Sequence, residues 1–122
     1  MDILRRTRRL LKTLGEDNRL RILNLLRKRD MNVAELCEIL GSTQSNISRH
    51  LARLRLVGIV LDRRDGQFIY YRLSTPSNKF HRHLIDSVIT GLSELGAFEA
   101  DMAALERRDT AAPRYGSPAR TK

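Results

Sequence analysis

The sequence predicts a mainly α-helical fold with one two-stranded β-hairpin, formed by a single domain. Up to about residue 56, apolar residues recur at the three- and four-residue spacings of amphipathic helices. The period then becomes extended, and two β-rich runs flank Asp65-Gly66, a dipeptide that supplies the positive φ of a tight hairpin turn. Helical spacing returns from about residue 78. The predicted element order is therefore α-α-α-α-β-β-α.

Four helices are expected before the hairpin, each bounded by a glycine or a capping side chain. Their expected spans are 3–14, 18–29, 33–40 and about 44–56, with a loop at 29–32. Gly15 and Gly41 end the first and third helices, and Asp17 and Thr43 are the N-cap candidates of the second and fourth. A short helix, a tight turn and a second helix form a helix-turn-helix, so the hairpin at 59–73 would be its wing.

One long helix is expected after Pro76, from about residue 78 to 106, with apolar residues that repeat almost as heptads. The repeat consists of Phe80, Leu84, Val88, Gly91, Leu95, Phe98, Met102 and Leu105. A small domain has little surface on which to bury such a seam, which favours dimerisation through this helix; a helix folded over its own core is the alternative. The candidate dimerisation residues are Leu10, Leu14, Phe80, Leu84, Val88, Leu95 and Phe98. The basic stretch 107–122, which has no periodicity, is expected to be a disordered tail outside the domain of residues 1–106.

The charge balance indicates the class of partner. The chain has 23 Lys and Arg against 14 Asp and Glu, a formal net charge of +9. Such a balance favours a polyanion, with nucleic acid first and an anionic membrane second, while ordinary solubility charge is the alternative.

Other classes of protein are disfavoured. One cysteine allows no intramolecular disulfide, and no run approaches the ~20 apolar residues of a membrane span. The N-terminus lacks the unbroken apolar segment of a signal peptide, so the expected location is the cytoplasm, away from membranes. No Gly-rich phosphate loop follows a strand and no nucleophile–base pair is recognisable. We therefore expect neither an enzyme nor a cofactor.

The fourth helix has one apolar face and one polar face. On a helical wheel, Ile47, Leu51 and Leu54 share the buried side. The opposite side and its edges carry small, amide and basic side chains, which can bond phosphates or base edges. The DNA-binding candidates are Gln44, Ser45, Asn46, Ser48, Arg49 and Arg53 on this helix, and Arg63, Arg64 and Gln67 near the tip of the wing.

Three segments carry a family resemblance: LGEDNRLRILNLL, ELCEILGSTQSNISRHLARLRLVGIV and DRRDGQFIYYRLS. In order and spacing they resemble the ArsR/SmtB-type winged helix-turn-helix repressors over about residues 10–75, and the terminal helix matches in position. The resemblance implies a homodimer that holds an operator until an inducer, often a metal or metalloid ion, loosens it. It also implies recognition residues at Gln44, Ser45, Asn46, Ser48, Arg49 and His50. His50 lies at the edge of the apolar side, which favours packing or one phosphate contact over base reading.

The same resemblance bears on the inducer. Family members that respond to arsenic carry a cluster similar to Cys-Val-Cys-Asp-Leu-Cys in the third helix. The matching residues 32–37 of this chain keep only Cys37. One thiol is too few for a thiophilic ion, so a buried, inert cysteine is favoured. Zinc-responsive members use the last helix, and the matching positions here are His81, His83, Glu94 and Ala97. The side chains at the first three of these positions can ligate zinc, and the alanine at the fourth cannot. No metal site is therefore assigned, and any small effector or metal ion stays unidentified.

The leading prediction is a sequence-specific transcriptional repressor that binds a pseudo-palindromic operator as a homodimer. Two alternatives of other classes stay open. One is an architectural protein that coats DNA with low specificity, and the other is a winged-helix module whose polar face binds protein.

Overall fold

The computed structural model describes residues 2–111, which form six helices and a small antiparallel sheet. The helices are α1 (Ile3–Leu14), α2 (Asp17–Leu26), α3 (Val33–Leu40), α4 (Gln44–Leu56), α5 (Lys79–Leu92) and α6 (Glu99–Ala111). The strands are β1 (Met31–Asn32), β2 (Val60–Asp65) and β3 (Phe68–Leu73), and a short 3₁₀ turn spans Gly96–Phe98. This is the winged helix-turn-helix arrangement that the sequence predicts. Among residues 2–111, no helix combines the length and apolar composition required to cross a lipid bilayer.

Capping side chains fix the helix starts. Asn32 and Glu35 form a reciprocal capping box at the start of α3. Thr43 caps α4, as predicted. The N-cap predicted for α2 is wrong by one position, because Glu16 is the N-cap and its carboxylate accepts a hydrogen bond from the Arg19 N–H. The helix also ends at Leu26, three residues before the predicted end at 29. The helix itself begins at Asp17, whose charge still favours the first turn through the helix dipole.

The sheet has the strand order β1-β3-β2. Asp65 pairs with Phe68 at the hairpin end, and Gly66 between them has φ 65°. β1 occupies the segment that was predicted to be a loop, with Met31 opposite Tyr71 on the outer edge of β3. Two residues are too few to show a strand period. The fully buried Met31 side chain explains why this segment is held against the sheet.

The core lies between the helix-turn-helix and the helices that flank it. Fully buried leucines and isoleucines come from α2, α3, α4 and the base of the hairpin: Ile22, Leu23, Leu25, Leu26, Leu36, Ile47, Leu51, Leu54 and Ile59. Burial of such side chains contributes about 1.5–3 kcal/mol each. The core therefore fixes the orientation of α4 relative to the wing.

The prediction of one continuous C-terminal helix is wrong. Gly91, Ser93 and Gly96 fall within six positions, and a helical glycine costs about 1 kcal/mol relative to alanine. The Ser93 hydroxyl donates to the Thr90 carbonyl oxygen at 2.6 Å, and Leu95 is extended. The chain turns here, and α6 folds back onto α2 and α3, where Leu105 is fully buried. In the second half of the heptad pattern, Phe98, Met102 and Leu105 thus pack on the core of this chain, while Leu95 in the turn stays exposed.

The predicted tail also begins too early. α6 continues to Ala111, and within it Arg108 is buried and Asp109 binds Arg29. Charged residues at 107–109 conceal this packing in the sequence. The remainder of the predicted tail, 112–122, lies outside the described residues.

Candidate nucleic-acid interface

The turn between α3 and α4 sets the angle at which α4 leaves the helix-turn-helix. Gly41 ends α3 in the left-handed region, with φ 64°, where a side chain would be strained. The Thr43 hydroxyl then accepts the N–H of Asn46 at 3.2 Å and starts α4. Three residues therefore join the two helices, as a helix-turn-helix requires.

α4 divides into the two faces that the helical wheel predicts. Ile47, Leu51 and Leu54 are fully buried. The other side is exposed at Gln44, Ser45, Ser48, Arg49, Ala52 and Arg53. The short side chains on this face allow a close approach of the helix backbone to another surface. The amides, hydroxyls and guanidinium groups match the hydrogen-bonding groups of a DNA groove.

A chain of hydrogen bonds along α4 orients Arg49. The Asn46 Nδ2 donates to Ser42 Oγ at 2.8 Å, and the Asn46 Oδ1 accepts from Arg49 Nη2, also at 2.8 Å. Both ends of the half-buried Asn46 amide are therefore engaged within the chain. Asn46 positions the Arg49 guanidinium, a role that the wheel does not reveal, and leaves the other guanidinium donors of Arg49 free to meet a guanine or a phosphate.

His50 lies inside the fold, in contrast to the exposed candidates. It is 8 % exposed, and its Nδ1 is 3.1 Å from Arg19 Nη1 and 3.9 Å from Glu16 Oε1. Because a guanidinium only donates, the imidazole nitrogen facing Arg19 acts as the acceptor. Burial, with help from Arg19 and other nearby arginines, lowers the pKa of His50 below its ordinary 6.5, against the opposing effect of Glu16. The packing interpretation of His50 is the one this position favours.

The wing presents its candidates unequally. Arg64 and Gln67 are exposed. Arg63 is half-buried, with its Nη2 3.4 Å from Asp30 Oδ2 and its guanidinium 5.2 Å from the centre of the Tyr70 ring. Arg63 therefore ties the hairpin to the body of the protein, and Arg64 and Gln67 are the wing residues best placed to reach a phosphate or a minor groove.

The candidate dimerisation residues divide into three groups. Leu10 and Leu14 lie in the chain's own core. Leu84, Val88 and Phe98 are half-buried against that core. Phe80 and Leu95 are exposed at 58 % and 50 %.

The residues singled out for an inducer are not brought together as a ligand set. Burial raises the pKa of the Cys37 thiol, which favours the protonated form over a metal-binding thiolate. His81 is buried with its Nε2 2.7 Å from the Thr7 hydroxyl. Across residues 2–111, no three His, Cys, Asp or Glu side chains form a group that could hold a metal ion.

Sequence reasoning missed the cations of α1. Arg5, Arg8, Arg9 and Lys12 line a cleft that also includes Arg53 of α4. The signal was present in their three- and four-residue spacing, which places them on one side of a helix. Only the fold shows that this side faces α4.

Comparison with known proteins gives a consistent result. The family described as bacterial regulatory protein, arsR family, matches residues 16–61. The chain is 41% identical over 78 residues to the arsenical resistance operon repressor of Escherichia coli, a match that covers 63% of this chain and 67% of the repressor. It is 49% identical over 63 residues to the arsenic resistance transcriptional regulator ArsR1 of Pseudomonas putida, covering 51% of this chain and only 49% of that protein.

A solved structure extends the similarity to the fold. The homodimeric winged helix-turn-helix DNA-binding domain of Mb0332 from Mycobacterium bovis matches with a TM-score of 0.62 at 28% identity, over 75% of this chain and 82% of that chain. The family match at residues 16–61 includes all of α4, the helix that carries most of the exposed polar candidates.

Proposed function

Since the chain belongs to the arsR family of bacterial regulatory proteins, we propose that it is a transcriptional repressor that binds a pseudo-palindromic operator as a homodimer. The observation that carries the proposal is the exposed face of α4, on which the Ser42–Asn46–Arg49 hydrogen bonds orient a guanidinium away from the core. A bacterial repressor that binds chromosomal DNA acts in the cytoplasm, which is the location we propose. The proposed role is binding, with no catalytic step.

In this proposal, α4 enters the major groove with its first turn towards the bases. Gln44, Ser45 and Ser48 contact base edges or nearby phosphates, and Arg49 pairs with a guanine. Arg64 and Gln67 of the wing lie over the flanking backbone. Two copies then read half-sites about one helical turn apart, ~10 bp, or a multiple of that spacing.

An exposed apolar surface supports the homodimer. α1 and α5 are neighbours, since the Thr7 hydroxyl meets the buried His81. Large apolar side chains stay exposed on these two helices: Ile3, Leu4 and Leu11 of α1, and Phe80 of α5. Such a surface is costly to leave in water, and a second copy of the same surface would cover it. The interface therefore uses the outer side of α1 in place of the core residues Leu10 and Leu14.

Selection from a random duplex library tests the DNA-binding proposal. We expect purified protein to enrich one pseudo-palindrome. On that sequence, Arg49→Ala should weaken binding by about 5- to 150-fold for each half-site, equivalent to about 1–3 kcal/mol per protomer, and relax the preference at one base pair of each half-site. Arg107→Ala, which removes an equal charge from an exposed position on α6, is the matched control and should bind normally.

Two outcomes would contradict this proposal. Enrichment of no sequence, with uniform protection of any duplex, would favour an architectural DNA-coating protein. An Arg49→Ala variant with the wild-type binding curve would remove Arg49 from the interface.

The dimer is tested by mass measurement in solution. Phe80→Asp puts a charge on the exposed apolar surface and should give a monomer at micromolar concentration, because a buried unpaired carboxylate is costly. Leu61→Asp, at a similarly exposed position on the wing, should stay dimeric. A wild-type protein that is monomeric in the same measurement would refute the homodimer.

A further inference from the structure

A cleft of about 400 Å³ opens between α1, the start of α2 and one side of α4. Its lining residues are Arg5, Arg8, Arg9, Lys12, Thr13, Arg19 and Arg53. Six of these seven side chains are cationic, and none is acidic. The composition of the lining indicates a ligand that carries several negative charges.

The arrangement is unfavourable for the isolated helix. Arg5, Arg8 and Lys12 follow one another at three- and four-residue intervals, and like charges at these spacings repel by a few tenths of a kcal/mol per pair. Cations near the start of a helix also oppose its dipole. A bound polyanion would relieve both effects at once.

One cation of the cleft is held in place. The Arg19 Nε donates to the Thr13 carbonyl oxygen at 2.6 Å, and its Nη1 donates to His50 Nδ1 at 3.1 Å. Because the side chain is already ordered, little conformational entropy remains to be lost when the guanidinium meets an anion. Arg19 is thus an ordered cation in the lining of the cleft, in contrast to the exposed cations of α1.

Arg53 connects the cleft to the candidate interface. It follows Arg49 by one helical turn on α4 and is exposed. Arg53 is therefore the neighbour of Arg49 on this helix, and it lines the cleft together with the cations of α1. The cleft extends the cationic surface of α4.

We propose that this cleft binds the phosphate backbone of the operator beyond the bases that α4 reads, with Arg8 and Lys12 as the contacts supplied by α1. The inference rests on the proposed function and adds a second, sequence-independent anchor to it. Phosphodiester groups suit the site because arginine and lysine are the main side-chain partners of DNA phosphates. Such contacts raise affinity and fix register without reading sequence.

The test measures how the binding constant depends on salt. The binding constant falls as salt rises, and each phosphate that a cation neutralises adds about 0.9 to the steepness of the fall of log K with log salt. Arg8→Gln/Lys12→Gln should therefore make this slope less steep by about 1.8 per protomer. Arg6→Gln/Lys79→Gln removes the same charge from exposed residues outside the cleft lining and should keep the wild-type slope. The ratio of operator to scrambled-duplex affinity should be the same in all three proteins.

The outcomes separate this inference from the proposed function. Wild-type operator binding with an unchanged slope in Arg8→Gln/Lys12→Gln overturns the backbone contact and leaves the repressor intact. Saturable binding of pyrophosphate that this variant alone abolishes, again with an unchanged slope, assigns the cleft to a small polyanion and also overturns it. Failure of the wild type to prefer any operator counts against the proposed function itself. Thermal unfolding verifies the fold of both variants, whose four substituted residues are all exposed.

Discussion

Arginine has opposite surroundings in two regions of this molecule. Where α6 meets α3, Glu35 is fully buried between two guanidinium groups, with its Oε2 3.1 Å from Arg29 Nη2 and 3.3 Å from Arg108 Nη1. Arg29 also binds Asp109 of α6 at 2.6 Å. In the cleft between α1 and α4, six cations line the surface, and none of the lining residues within 2–111 has a carboxylate.

The difference shows why the net charge alone does not locate a binding surface. Both regions contribute to the same excess of Lys and Arg, yet in the first the charges are matched within the fold and in the second they are not. Buried ion pairs are costly to break because the remaining charge stays desolvated. Unmatched surface cations cost little individually and are available for an external anion. The matched region holds the helix-turn-helix together, and the unmatched region faces the proposed operator.

Glu35→Gln gives the largest effect that this comparison predicts. Glutamine keeps an oxygen for the Asn32 N–H of the capping box but leaves Arg29 and Arg108 without the buried carboxylate. We expect the free energy of unfolding, measured with urea, to fall by about 3–5 kcal/mol.

Glu38→Gln is the matched control. Glu38 also pairs with Arg108, at 3.2 Å, but its side chain is 54% exposed, so its loss should cost less than about 1 kcal/mol. Equal losses in the two variants would mean that water reaches Glu35 and that the contrast between matched and unmatched charges is not real.

Much of the fold could be predicted because local signals agreed with it. Gly41 and Thr43 marked the turn, Asp65-Gly66 marked the hairpin, and the period marked both faces of α4. The C-terminal region could not be predicted in the same way, since a heptad pattern serves equally for a partner helix and for the chain's own core. The choice was decided by tertiary contacts, among them the ion pair of Arg21 with Asp101 at 2.8 Å.

The sequence predicted which side chains of the candidate site are exposed, but it did not predict the hydrogen bonds and ion pairs among them. A helical wheel separates the outward side chains of α4, but it does not show that Asn46 is engaged by Ser42 and Arg49. Arg63 was placed near the tip of the wing by its sequence position alone. Its ion pair with Asp30 joins residues 33 positions apart, and no local pattern reports such a contact.

The smallest expected effect comes from His50, which lies between the buried interior and the cationic cleft. Burial is the main cause that lowers its pKa, Arg19, Arg49 and Arg53 act in the same direction, and Glu16 opposes them. Because the folded pKa is below the unfolded value of 6.5, the unfolded chain binds more protons in the window between the two. The contribution of neutral His50 to stability is therefore complete above pH 6.5 and is lost as the pH falls through that window.

Urea unfolding of wild type and His50→Gln from about pH 7.5 to about pH 5 isolates this contribution, because the other titrating groups are common to both proteins. We expect the wild type to lose more stability than the variant over this range, with the difference developing below pH 6.5. His83→Gln, at an exposed position on α5, is the matched control for the removal of a histidine. Parallel curves for wild type and His50→Gln would show that His50 charges as readily in the folded protein as in the unfolded chain. Water would then reach His50 from the cationic cleft, and the buried interior would begin on the far side of this residue.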